Sequence, residues 1–207
     1  MTEADPPGQR RPRSAAIILS FALLVAGLSA LAAVVWVTMP RGGAVATASS
    51  AIGGAFSLTD QTGKAVTERD FAGKPTLVFF GFTHCPDICP TKLFEMTQML
   101  DKLGTDADKV NVAFVTVDPA RDTQALLATY LGSFHPRIRG LTGTEAEVAQ
   151  AMRAYRAFAR KVPQDGGNYT MDHTVFVYLM DRNGQFVSTF DVQRDPDTAA
   201  RDLRRYM

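Results

Sequence analysis

The stretch Thr76-Leu-Val-Phe-Phe-Gly-Phe-Thr-His-Cys-Pro-Asp-Ile-Cys-Pro90 decides the fold. Its first seven residues are an almost continuous apolar run of strand length, which suits a strand buried on both faces of a sheet. Two cysteines four residues apart follow at once. Beyond them Leu93, Phe94, Met96, Leu100 and Leu103 recur at helical spacing. The order is therefore strand, cysteine pair, helix, and α/β folds build their sites at the C-terminal ends of strands. Cysteines four apart on a helical turn share a face, so both sulfurs can reach one metal or each other. A helix N-terminus also favours thiolate over thiol. Pro90 fits the first helical position, where a missing N–H costs nothing. Two buried structural cysteines are the plainer alternative.

Working outward, residues 56–63 predict a strand and tight turn, with Val66 on the return strand. Residues 110–117 predict a second buried strand closed by Asp118-Pro119. Residues 122–134 predict a helix with Leu126, Leu127, Tyr130 and Leu131 as its apolar stripe. Residues 138–141 predict a short strand. Thr144 and Glu147 have capping-box spacing ahead of Val148, Met152, Tyr155 and Phe158. Residues 162–168, with two adjacent glycines, read as a mobile loop. Residues 174–180 and 185–190 predict a hairpin around Asp181-Arg-Asn-Gly184, and Asp195 opens a last short helix. Strands alternating with helices give an α/β sheet covered on both faces, and the terminal hairpin makes it mixed. This is the order of a thioredoxin-like domain with an added N-terminal hairpin.

The N-terminal quarter differs in kind. Residues 15–37 are 23 positions without a charge, about 34 Å as a helix, enough for a single transmembrane helix. Arg10, Arg11 and Arg13 precede it and Arg41 follows, which predicts a cytoplasmic tail over residues 1–14 and the rest of the chain outside. Trp36 would sit at the outer interface. A cleaved signal peptide is the rival, but its apolar core runs only about 7–15 residues. Residues 38–50 are small and nearly uncharged and read as a flexible linker, so the domain covers residues 51–207. A bacterial inner membrane with the C-terminal domain in the periplasm is the simplest compartment.

Composition limits the chemistry. Hydrophobic residues make up 46% of the 207 residues and charged residues 21%, which excludes a disordered chain. Two cysteines make neither a disulfide-rich scaffold nor a four-cysteine metal site. A net charge of +1 offers no basic field for nucleic acid.

Of the three histidines, His173 directly precedes an apolar strand, where a histidine taken alone reads as structural rather than as a ligand. His84, beside Cys85, should point away from a metal held by its neighbour. His135 reads as a cation at a helix C-terminus. Two thiolates and one imidazole form a soft set suited to copper(I), and to copper(II) with an added weak ligand. Asp87 and Asp172 are the carboxylates near enough to supply one, though Asp87 fits a helix cap and Asp172 could orient the histidine. The methionines lie at packing positions.

Residues 80–90, together with Phe114-Val-Thr-Val-Asp-Pro119, Arg121-Asp-Thr123, Leu141-Thr-Gly-Thr144 and Asp172-His-Thr174, resemble in sequence and order the Sco/SenC family of copper-binding proteins. The resemblance covers nearly all of the domain. It implies a thioredoxin-like fold behind an N-terminal anchor and copper bound by Cys85, Cys89 and His173. It further implies a role in assembling the copper A centre of cytochrome c oxidase. The partners it implies are the oxidase subunit carrying copper A, a periplasmic copper donor and a thiol reductant. Three functions compete. One is a copper metallochaperone. A second is a thiol–disulfide oxidoreductase that reduces client cysteines through Cys85 and Cys89. A third is a peroxiredoxin-like peroxidase, for which no matching arginine arrangement is present.

Overall fold

In a computed structural model, the backbone is described for residues 13–38 and for residues 52–207, with side chains in the first segment described at Ile18 and residues 23–34. The expected tail over residues 1–14 and linker over residues 38–50 lie almost wholly outside the described residues, as does the side chain of Trp36. The chain divides into two compact units, Met1–Ser49 and Ser50–Met207.

The first unit contains helix α1 (Arg13–Thr38). Its described large apolar side chains, Ile18, Leu23, Leu24, Val25, Leu28, Leu31 and Val34, are exposed. Among the described residues no helix is long and apolar enough to cross a membrane. The described run of α1 side chains, residues 23–34, covers about 18 Å of a hydrocarbon core about 30 Å thick. The expected transmembrane anchor is therefore not established.

The second unit is built on a seven-stranded mixed sheet. Its strands are β1 (Ser57–Asp60), β2 (Ala65–Thr67), β3 (Thr76–Gly81), β4 (Asn111–Thr116), β5 (Ile138–Thr142), β8 (Val177–Met180) and β9 (Phe186–Thr189). They are ordered β2-β1-β5-β4-β3-β8-β9. β3, β4 and β5 run parallel. β8 is antiparallel to β3, and the hairpin β1–β2 adds antiparallel to β5. Every residue of β3 is buried, which explains why its sequence is apolar at consecutive positions rather than alternating. This is the thioredoxin-like α/β arrangement expected, with the N-terminal hairpin at one edge.

Four helices complete the unit: α2 (Ile88–Leu103), α3 (Gln124–Leu131), α4 (Glu145–Tyr155) and α5 (Pro196–Arg204). Their starts follow local chemistry. Thr123 accepts a bond from the Leu126 N–H, Thr144 and Glu147 close a capping box, and Asp195 accepts from the Thr198 N–H. α2 starts earlier than its periodicity predicts. Asp87 sits at its N-cap position with no capping bond from its side chain, and Pro90 is the third helical residue rather than the first. Proline is tolerated there because the first four N–H groups of a helix lack intrahelical partners.

One expectation fails. Residues 162–168 are not a free loop. β6 (Ala159–Pro163) and β7 (Tyr169–His173) form a separate two-stranded antiparallel sheet. Gly166 and Gly167, both at positive φ, make the turn between them. His173 is the last residue of β7, so a ladder fixes its backbone.

Candidate metal centre

The site lies where β3 ends and α2 begins. Gly81 closes β3, and its lack of a side chain is required there. A Cβ would stand 2.6 Å from the Phe114 ring and 2.9 Å from Cys89 Sγ. The glycine thus lets the sulfur lie against the end of the sheet. Cys85 is half-buried in the following turn and Cys89 is buried on the first turn of α2; both are free thiols. The Cys89 N–H points at Cys85 Sγ at 3.4 Å. One of the unpaired donors of the helix N-terminus therefore faces a sulfur.

His173 arrives from the other side, 84 residues later. Its Nε2 lies 3.7 Å from Cys89 Sγ. Its Nδ1 lies 2.9 Å from the Thr174 carbonyl oxygen, so the hydrogen-bond pattern assigns the proton to Nδ1 and leaves the Nε2 lone pair facing the sulfurs. Phe82 packs edge-on against the imidazole at 5.6 Å between centroids, and Phe79 lies 6.4 Å away. The two rings hold the imidazole plane.

One ligand atom from each of Cys85, Cys89 and His173 falls within 4.8 Å of the other two, the one such cluster among the described residues. With metal–ligand bonds of about 2.0–2.3 Å, two ligands of one ion stand about 3.5–4 Å apart. The Cys89–His173 pair is already at that spacing. Burial pushes the Cys89 thiol well above its ordinary range, against a backbone hydrogen bond from Phe82 that acts the other way. Burial also lowers the His173 pKa, which keeps the imidazole neutral. Without a metal the site is thus an uncharged pocket of one thiol and one imidazole behind a more accessible Cys85. A soft cation that replaces the thiol proton fits this donor set.

The other candidates lie elsewhere. Asp87 is exposed and outside the cluster. Asp172 is exposed on the opposite face of β7 and pairs with Arg160 across the hairpin at 3.0 Å. Neither is placed as a fourth ligand. His84 is exposed, with Nδ1 3.0 Å from Thr83 Oγ1 and 3.8 Å from Asp122. His135 lies outside the cluster: its Nδ1 accepts the Arg137 N–H at 3.1 Å and its Nε2 lies 3.9 Å from an Asp101 carboxylate oxygen.

Sequence reasoning missed the frame behind the ligands. Asp122, fully buried, accepts the Thr83 N–H at 3.1 Å and the hydroxyls of Thr83 and Thr116, each at 2.6 Å. That ties the turn before Cys85 to the end of β4. Asp118, also fully buried, pairs with Arg121 and accepts the Tyr169 hydroxyl at 2.9 Å. Arg121 stacks on the Tyr169 ring at 3.7 Å and donates to the Tyr169 carbonyl at 2.9 Å. The start of β7 is thereby fastened to the loop after β4. The signal was present in Asp118-Pro-Ala-Arg-Asp122, but two acids after a strand also read as an ordinary turn.

Comparison with known proteins agrees with this geometry. Residues 44–207 match the family model SCO1/SenC. The chain is 41% identical over 157 residues to the mitochondrial SCO2 homolog of Danio rerio, covering 74% of this chain and 56% of that protein. It is 39% identical over 159 residues to the human mitochondrial SCO1 homolog, covering 75% and 53%. It thus spans about half the length of these curated relatives. Among solved structures, Bradyrhizobium japonicum ScoI with copper bound is similar with a TM-score of 0.74 and 58% identity, over 76% of this chain and all of that one. Yeast Sco1 with copper bound is similar with a TM-score of 0.69 and 40% identity, over 75% and 88%. These findings correct the expected localisation. These two curated relatives are mitochondrial, so the expected bacterial inner membrane with a periplasmic domain is not retained. By the match over residues 44–207 and by its fold, the chain belongs to the SCO1/SenC family.

Proposed function

We propose that this protein is a copper metallochaperone that carries one copper ion on Cys85, Cys89 and His173 and delivers it to the copper A centre of cytochrome c oxidase. The observation that carries this reading is the convergence of two free sulfurs and a neutral, hydrogen-bonded imidazole within 4.8 Å. Copper bound to similar structures supports the choice of metal. Here copper is cargo. Two thiolates suffice for copper(I), whereas copper(II) draws on the imidazole as well. Its partners are a copper donor, the oxidase subunit and a thiol reductant that keeps the cysteines open. Residues 51–207 form the copper-binding domain, residues 15–37 a membrane anchor, residues 1–14 a tail and residues 38–50 a tether.

The closeness of the two free thiols at a helix N-terminus favours a second reading. In it the pair reduces client cysteines before metal enters. His173→Ala separates the two. A thiol reductase needs its sulfurs, not the imidazole. The measurement is copper A content of the oxidase at limiting copper, with the variant expressed at the wild-type level, alongside its rate of disulfide exchange with a client peptide. Loss of copper A with unchanged exchange supports delivery. Normal copper A with unchanged exchange contradicts it.

A further inference from the structure

The segment from α4 into β6 carries a charge pattern that metal binding does not use. Arg153, Arg156, Arg160 and Lys161 fall within nine residues, and no acid lies between Glu147 and Asp165. All four are exposed. Arg160 pairs with Asp172, and Lys161 lies over the Tyr169 ring at 5.0 Å. Arg153 and Arg156 have no ion pair or side-chain hydrogen bond among the described residues. Attraction to the C-terminal end of the helix accounts for Arg153, which stands in the last turn of α4. It does not account for the backbone of Arg156. That residue caps α4 in the left-handed conformation, with φ 53° and ψ 29°, the one non-glycine residue at positive φ among the described residues. Glycine is the usual occupant of such a cap, because a Cβ is disfavoured there. An arginine held where the backbone asks for glycine points to a use for its side chain outside the fold.

The run borders the mouth of the metal centre. Ala159 pairs with His173 across the β6–β7 ladder. The Phe158 N–H donates to Thr174 Oγ1 at 2.9 Å, and the Phe158 carbonyl accepts the Thr174 N–H at 3.0 Å. Phe158 is nonetheless 53% exposed, and Phe176 and Ile88 are 57% and 43% exposed. Ile88 stands between the two cysteines in sequence, and Phe176, three residues after His173, lines a groove with it. Large apolar side chains bordered by charge have the anatomy of a protein interface, an apolar centre with a polar rim. A rim of one sign selects a partner of the other. We propose that Arg153, Arg156, Arg160 and Lys161 form an electrostatic docking flank for an acidic protein surface that borders the copper ligands of the recipient. The inference rests on the copper-delivery reading above. A recipient must bring its own ligands within bonding distance of the copper, so it covers this mouth. The cations speed and orient that encounter, an effect that salt screens, and take no part in holding the metal.

The test uses the full chain loaded with one equivalent of copper(I). The recipient is the copper-free domain of the oxidase subunit that carries copper A. Association rate, copper transfer rate and melting temperature are read at low and at high salt. Association of the unaltered chain should slow about tenfold from low to high salt. Arg156→Gly should associate about fivefold more slowly at low salt and equally at high salt. It should hold copper as tightly as the unaltered chain. It should melt at the same temperature or higher, because glycine suits the positive φ. Lys74→Gln is the control. It removes one exposed cation just before β3, at the end of that strand away from Gly81, and should change none of these. Copper transfer with salt-insensitive association, or with Arg156→Gly as fast as the unaltered chain, would overturn the inference and leave the copper reading intact. Equal slowing in Lys74→Gln would also overturn it, by tracing the effect to net charge alone. So would weaker binding of Arg156→Gly to phosphatidylglycerol vesicles with the recipient bound normally, which would assign the patch to a lipid surface. If the unaltered chain holds no copper or passes none to the domain, the copper reading falls and takes this inference with it.

Discussion

His173 shows how one side chain is prepared by its immediate surroundings. The Thr174 carbonyl fixes its tautomer, Phe82 fixes its plane, and burial keeps it neutral. Replacing it with alanine should leave two thiolates. Copper(I) affinity should then fall little, copper(II) affinity should fall by tenfold or more, and the fold should survive. Competition titrations with chelators for each oxidation state check this, and His135→Ala should change neither value. The buried Cys89 thiol and the half-buried His173 imidazole also predict how stability of the metal-free protein depends on pH. The folded His173 pKa lies below its ordinary 6.5. Its contribution is therefore present above 6.5 and lost as pH falls below it. The folded Cys89 pKa lies above its ordinary 9.0, so its contribution is present below 9.0 and lost as pH rises above it. Denaturant midpoints of the reduced, metal-free protein should show a plateau between these limits and fall on both sides. A midpoint that keeps climbing as pH rises beyond 9 would contradict the burial of the Cys89 thiol.

At the scale of elements, the hairpin β6–β7 delivers the histidine, and Arg121 holds the hairpin. Its guanidinium bonds Asp118, stacks on Tyr169 and donates to the Tyr169 carbonyl. Arg121→Ala should speed amide hydrogen exchange across residues 159–173 and lower copper(II) affinity about 10–100-fold, as loss of a supporting contact does. Arg121→Lys should not restore it, because an ammonium lacks the planar fork. The opposite edge of the sheet offers a control. Burial alone would raise the Asp60 pKa, but hydrogen bonds from Thr62, Arg139 and Lys64 lower it to about 2. Asp60→Ala should therefore cost roughly 2 kcal/mol, a loss the unaltered protein should also show as pH falls from 3.8 toward 2. Thermal unfolding measures it, and copper affinity should not change. These elements differ in how legible they were. β3 was plain because every side chain is buried, and α4 because Thr144 and Glu147 announce its start. β6 was hidden because its residues, Ala159-Arg-Lys-Val-Pro163, are mostly exposed. An exposed ribbon outside the main sheet leaves no apolar alternation, and its two turn glycines imitate a loose loop.

For the whole molecule, the sheet brings together parts of the chain that no local pattern could join. The cysteine pair was readable from its place after β3. His173 became a ligand candidate only through family resemblance, since 84 residues separate it from Cys89 and the antiparallel pairing of β8 with β3 closes that gap. Asp118 and Asp122 were passed over for the same reason: each looks ordinary within its own segment and acquires a role only across the fold. The compartment was the least legible property, because residues 15–37 speak for an apolar helix but not for which membrane it would meet. The most direct test is X-ray absorption of the reduced full-length protein loaded with one equivalent of copper(II), paired with a count of thiols open to alkylation. One copper per chain should be found with two sulfur neighbours and an imidazole nitrogen, with both thiols protected and no copper retained once the pair is oxidised to a disulfide. Stoichiometric copper with no sulfur in its shell and both thiols freely alkylated would contradict the three-ligand site.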